Sequence, residues 1–216
     1  MISHWERLLG IARSIIDQSG IGDNWTFGGG TAMMIQIGHR LSHDIDLFVD
    51  DPQLLGYVDP SKQSFDFEIR PSAYSGDGSR FLKIAFDDLG EIDFVACSPL
   101  TAKPTKRMEL HGRPIFVETI AEIITKKVFY RGSMITPRDV FDIAAAAKTH
   151  RHEIVQALAG YPEKVSATIT ALERANPEYM LSVIGDLQIN LEFESLKETA
   201  IDCCLAILRS ALLSSR

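Results

Sequence analysis

Disulfides, secretion signals and membrane spans are what this sequence lacks. Its 216 residues include three cysteines, Cys97, Cys203 and Cys204. An odd count with one adjacent pair is not a disulfide framework, and no Cys-x-x-Cys knuckle offers a metal site. Such usage fits a reducing, cytoplasmic setting. The N-terminal MISHWERLLGIARS has no basic segment followed by an uninterrupted apolar core, so it does not read as a secretory leader. No apolar run approaches the ~18–20 residues needed to cross a bilayer, and no membrane association is expected. Positive charge is also short: 22 Lys and Arg against 29 Asp and Glu leave a net charge of −7. That excludes a generally basic nucleic-acid binder, so any RNA contact must use a local patch. Two such patches are Lys103, Lys106, Arg107 and Arg113, and Lys126, Lys127, Arg131 and Arg138. Internal repeats and low-complexity segments are absent as well.

What is present is enough hydrophobic residue, 45%, for one large domain or two small ones. The chain centres on Trp25 to Asp50, WTFGGGTAMMIQIGHRLSHDIDLFVD. Trp25 to Phe27 is strand-like and Thr31 to Ile37 is helical, so Gly28-Gly29-Gly30 stands where a strand turns into a helix. Without Cβ atoms a phosphate can approach the main chain there, and the first helical N–H groups point at it. Ile45, Leu47 and Val49 alternate as a half-buried strand, which sends Asp44 and Asp46 out together from the other face. Two carboxylates so close repel unless a cation or proton neutralises them. A hard ion such as Mg²⁺ or Mn²⁺, held by one or two carboxylates plus substrate phosphates, resolves the repulsion. His39 and His43 fall in a loop-like stretch and are not read as a metal pair.

Around this stretch the pattern predicts a helix from Ser3 to Ser19, opened by a Ser3-x-x-Glu6 capping box. A short helix through Leu55 to Val58 follows Asp51-Pro52. Phe65 to Arg70 reads as a strand and Ser75 to Ser79 as a loop. Arg80 to Phe86 and Glu91 to Ala96 read as a hairpin that puts Glu91, Asp93 and Val95 on one face. A second hairpin joins Thr105–Leu110 to Pro114–Val117. Thr119-x-x-Glu122 is a capping box for a helix whose buried stripe, Ile120, Ile123 and Ile124, continues into Lys127. A lysine there must be paired or must reach a cavity, whereas Lys126, four residues after Glu122, reads as an exposed ion pair. Thr136-Pro137 starts the next helix, which carries Arg138-Asp139-x-x-Asp142. Beyond Lys148 the chain is helical, with breaks near Tyr161-Pro162 and Asn176-Pro177.

GGGTA followed by R-x-S-x-D-I-D-L-F at Arg40 to Phe48 resembles the opening of the AbiEii/AbiGii toxin family, within the polymerase-β-like nucleotidyltransferases. Asp93 in EIDFV and the segment KVFYRGSMITPRDVFDI match that family's third strand aspartate and its helical K…R-D-x-x-D element. The resemblance covers about Phe27 to Ala147. It implies an α+β fold: a nucleotidyltransferase-like mixed β-sheet with flanking helices over 1–117, then a helical domain over 118–216. It also implies a metal-dependent enzyme that transfers a nucleoside monophosphate from an NTP to an acceptor hydroxyl. Asp44, Asp46 and Asp93 are then the metal-binding and catalytic acids, with Lys127 catalytic and phosphate-binding. Gly29, Gly30, Thr31, Arg40, Ser42, Arg131, Asp139 and Asp142 are the further nucleotide-binding positions. The implied acceptor is RNA, such as the 3′ end of tRNA, for a toxin restrained by an antitoxin protein. Nucleotidylation of a protein side chain, and a binding module without transfer activity, stay open beside it.

Overall fold

The computed structural model describes residues 4–215. Ser3, half of the first expected capping box, lies outside them. The chain divides into two compact units: Met1–Ala32, Ser42–Pro99 and Thr105–Glu118 form one, and Met33–Leu41, Leu100–Pro104 and Thr119–Arg216 the other.

The first unit is built on a sheet. In chain order it has α1 (His4–Ser19), β1 (Thr26–Gly28), the first turn of α2 (Gly29–Ile37), β2 (Ile45–Val49), a 3-10 turn at Pro52–Leu54 running into α3 (Leu55–Val58), then β3 (Ala73–Gly76), β4 (Phe81–Phe86), β5 (Gly90–Ala96), β6 (Thr105–Leu110) and β7 (Arg113–Glu118). The seven strands lie in the order β3-β4-β5-β2-β1-β7-β6. β2 pairs antiparallel with β1 and parallel with β5, and β1 is parallel to β7. Period-two alternation makes one sheet face apolar: Phe27, Leu47, Phe94, Leu82 and Val117 are all buried on it. The stripe Leu8, Leu9, Ala12, Ile15 and Ile16 of α1 is buried too, and α1 packs against β2 and β5.

Both expected hairpins are present, and one expected strand is not. Residues 64–70 are irregular, and the Gln18 side chain takes the Asp66 backbone groups that a neighbouring strand would have used. Asp66 N–H donates to Gln18 Oε1 and the Asp66 carbonyl accepts from Gln18 Nε2. The edge position goes instead to β3, whose Ser75 and Gly76 had read as loop; it pairs antiparallel with β4.

The second unit is helical: α4 (Ile120–Arg131), α5 (Pro137–Leu158), α6 (Pro162–Arg174), α7 (Pro177–Gly185) and α8 (Leu196–Ser214). α5 packs against α4, α7 and α8, with Val140, Phe141, Ile143 and Ala144 to Ala146 fully or nearly buried. It kinks at His150 (φ −123°, ψ 24°). Proline stands near the start of α5, α6 and α7, where its missing N–H costs nothing. Thr136 and Asp139 form a reciprocal capping box on α5. On α4 only half of the expected box exists. Thr119 accepts from the Glu122 N–H, but the Glu122 carboxylate turns to the Leu100 and Thr101 N–H groups, each at 2.9 Å. Among the described residues no helix is long and apolar enough to cross a membrane.

Candidate active site

In the first unit the sheet face opposite the apolar one carries the acids. Asp46 on β2 and Asp93 on β5 are direct register partners on parallel strands, so their side chains stand side by side. Asp44, one residue before β2, has its carboxylate fixed by the Glu91 N–H, which donates to Oδ1 at 3.0 Å. Across β4 and β5, Lys83 pairs with Asp93 (Nζ to Oδ2, 3.1 Å) and with Glu91. Burial raises the Asp93 carboxyl above the usual range, the negative charges of Glu91 and Asp44 add to this, and Lys83 offsets it only in part. The Asp93 carboxylate thus stands where more positive charge would be stabilising.

Glycine makes room for Asp46 and Asp44, and for a further acid beside them. Gly29 has φ +69°, and a Cβ there would sit 1.9 Å from Asp46 Oδ2. Gly90, at φ +123°, would bring a Cβ to 2.9 Å from Asp44 Oδ1. A Cβ on Gly28 would meet a third carboxylate, Glu118 Oε2, at 2.3 Å. Glu118 closes β7, is 2% exposed, and accepts from Thr26 Oγ1 at 3.2 Å. The register Phe27↔Val117 puts it beside Gly28 on the acidic face. Nothing in the spacing of Asp44, Asp46 and Asp93 pointed to Glu118 or Gly90. The only signal for Glu118 was an acid following the inward Ile115 and Val117 at a strand end.

Two other expected nucleotide ligands are spent on the loop. Thr31 is fully buried, donates to the Asp44 carbonyl at 2.5 Å and lies 3.0 Å from Ser42 Oγ. Its side chain therefore fixes the approach to Asp44. Gly29 and Gly30 open α2 and are half-buried.

In the second unit Lys127, Arg131, Arg40, Asp139 and Asp142 come together with His39. Lys127 Nζ donates to Asp139 Oδ1 at 2.6 Å and lies 3.0 Å from Asp142 Oδ2. Arg40 grips Asp142 with two bonds, Nε to Oδ1 at 2.8 Å and Nη2 to Oδ2 at 3.0 Å. His39 Nε2 is 2.9 Å from Asp142 Oδ1, and Arg131 Nη2 donates to Asp139 Oδ1 at 2.9 Å. The main chain of residues 39–41 is pinned by Asn190 N–H to the His39 carbonyl and Leu41 N–H to the Gln188 carbonyl. Burial would raise both aspartates, but Lys127 with Arg40 holds Asp142 well below the usual range, and Lys127 with Arg131 lowers Asp139. Lys127 is paired, as its inward position required. One expectation about α4 is corrected: Lys126 does pair with Glu122, at 3.7 Å, but at 7% exposure against 8% for Lys127 it is not on an exposed face. The reason is that α4 meets neighbours on more than one side, including α5 and α6. The second basic patch thus loses two members to the interior, while Arg138 remains exposed and does not pair with Asp142.

Oxygen donors from Asp46 and Asp93 on one face suit a hard divalent cation completed by substrate phosphates. Among the described residues no group of three or more His, Cys, Asp or Glu side chains is placed to enclose a metal unaided.

Residues 11–198 match the family model described as nucleotidyl transferase AbiEii toxin, type IV toxin–antitoxin system. The chain belongs to this AbiEii family. Two solved structures share the fold seen here. A candidate nucleotidyltransferase from Helicobacter pylori is 15% identical, with a TM-score of 0.55, over 100% of this chain and 97% of that one. MenT4, a nucleotidyltransferase toxin from Mycobacterium tuberculosis, is 16% identical, with a TM-score of 0.55, over 96% and 86%. No curated protein matches the chain.

Proposed function

We propose that this AbiEii-family chain transfers a nucleoside monophosphate from an NTP to an acceptor hydroxyl, releasing pyrophosphate, with RNA as the acceptor. The observation that carries the reading is the register pairing of Asp46 with Asp93 beside the Gly29 turn. In this reading Asp44, Asp46 and Asp93 hold Mg²⁺ or Mn²⁺. The ion supplies charge neutralisation for the polyphosphate. Backbone N–H groups of Gly29 and Gly30 at the start of α2 receive the phosphate oxygens. With Oδ2 of Asp93 engaged by Lys83, its Oδ1 is the atom left to face the ion or the acceptor hydroxyl. Arg40, Lys127, Arg131, Asp139 and Asp142 enter as a rigid ion network, with Thr31 and Ser42 as loop anchors. The protein acts in the cytoplasm as a toxin held in check by an antitoxin protein.

Each of the four NTPs, labelled on the α-phosphate, should be incubated with the protein, Mg²⁺, total tRNA and cell lysate. Label in RNA supports the proposal. Label in protein favours side-chain nucleotidylation, and label in neither contradicts transfer.

A further inference from the structure

The acidic face has a second row beside the acids. Two residues along the strands from Lys83, Asp93, Asp46, Gly28 and Glu118, the register places Phe81, Val95, Phe48, Thr26 and Phe116, and the row ends at Arg107. Phe116 is 44% exposed although it stands on a strand between two others. Its register partner on β6 is Arg107, also exposed. The two stand beside a cleft of about 290 Å³ lined by Asp23, Trp25, Arg107, Pro114, Ile115 and Phe116. That is at the lower end of small-ligand pockets.

An exposed aromatic on a sheet face with an arginine beside it is the chemistry of nucleobase stacking with a phosphate contact. Resting on the nucleotidyl-transfer reading, we propose that this cleft holds a nucleotide of a single-stranded acceptor, upstream of its reactive hydroxyl. The base stacks on Phe116 against Trp25, and Arg107 takes the adjoining phosphate. Phe116 lies two strands from Asp46, roughly 10 Å at ~4.8 Å per strand, so the chain's end reaches the acids along the apolar row. A free NTP fits the cleft poorly, since one arginine beside Asp23 cannot neutralise a triphosphate. Arg107 is also the member of the first basic patch that shares the acids' face; Lys106 points to the other, and Arg113 is tied to Asp17.

The test is fluorescence anisotropy of a 5′-labelled single-stranded RNA decamer titrated with the full chain, without NTP or metal. Binding is expected to weaken about fivefold or more in Phe116→Ala and to be kept in Phe116→Trp. Arg107→Ala should weaken it and lower the slope of log affinity against log salt by about one. Both positions are exposed, and thermal midpoints of the variants check that the fold is kept. Absence of binding, unchanged binding in both alanine variants, or displacement of the decamer by millimolar NTP overturns the assignment. The two proposals separate cleanly. If RNA is labelled but the alanine variants bind like the parent, the cleft is wrong and transfer stands. If the decamer binds with the expected pattern and no RNA is ever labelled, transfer is wrong and the cleft stands.

Discussion

Lys127 shows how much a single side chain can hold together when it is buried. Its ammonium is shared by Asp139 and Asp142, both almost wholly buried. Removing it takes one counter-charge from each carboxylate and leaves Asp139 to Arg131 and Asp142 to Arg40, which costs about 1.5–3 kcal/mol. Lys127→Ala should therefore lower the free energy of unfolding by that much in urea denaturation; a loss under ~1 kcal/mol would contradict the network. The helical stripe Ile120, Ile123, Ile124, Lys127 did reveal that this lysine points inward. What it could not reveal was the partners, because Asp139 and Asp142 reach it from the next helix. Lys126 was misread for a related reason: a one-helix pattern knows only one packed side, and α4 has several neighbours.

At the scale of the element, the strand–turn–helix from Thr26 to Ile37 was legible because triple glycine, period-two alternation and a helical run follow one another without ambiguity. The D-x-D strand was legible for the same reason. Phe65 to Arg70 was misread because alternation cannot tell whether a strand or the Gln18 side chain will satisfy the backbone. The turn makes its own prediction. Gly29→Ala forces a side chain into a left-handed conformation, at ~1–2 kcal/mol, and pushes Asp46 aside. It should lower the thermal midpoint and abolish transfer. Gly10→Ala, in an exposed position of α1 with open space around it, should instead raise stability by about 0.5–1 kcal/mol. Calorimetry of the two variants checks both signs, and equal shifts would contradict the role given to the Gly29 turn.

At the scale of the whole molecule, acid should be the weakness of the second unit. Asp139 and Asp142 have carboxyls lowered in the folded state. Such groups contribute stability above the unfolded value of ~3.9 and lose it as pH falls through the folded one. The thermal midpoint is expected to drop steeply below about pH 4. Asp142→Asn should start lower at neutral pH and give a flatter profile. A parent midpoint level down to pH 3 would contradict the ion network as a source of stability. The broad architecture, a mixed sheet followed by helices, followed from alternating strands giving way to helical spacing near Thr119. Assignment of residues 33–41 to the helical unit did not, since it depends on the backbone bonds of His39 and Leu41 to residues 188–190.

The central claim is that the paired acids of β2 and β5 carry out nucleotidyl transfer. Its most direct test compares the parent with Asp46→Asn and Asp93→Asn, measuring transfer of α-labelled nucleotide and Mn²⁺ affinity by electron paramagnetic resonance on the same samples. Both variants should keep the parent's thermal midpoint or exceed it, because each removes one of two repelling charges. Both should lose transfer and weaken Mn²⁺ binding. An Asp46→Asn protein that transfers label and binds Mn²⁺ as the parent does would contradict the account.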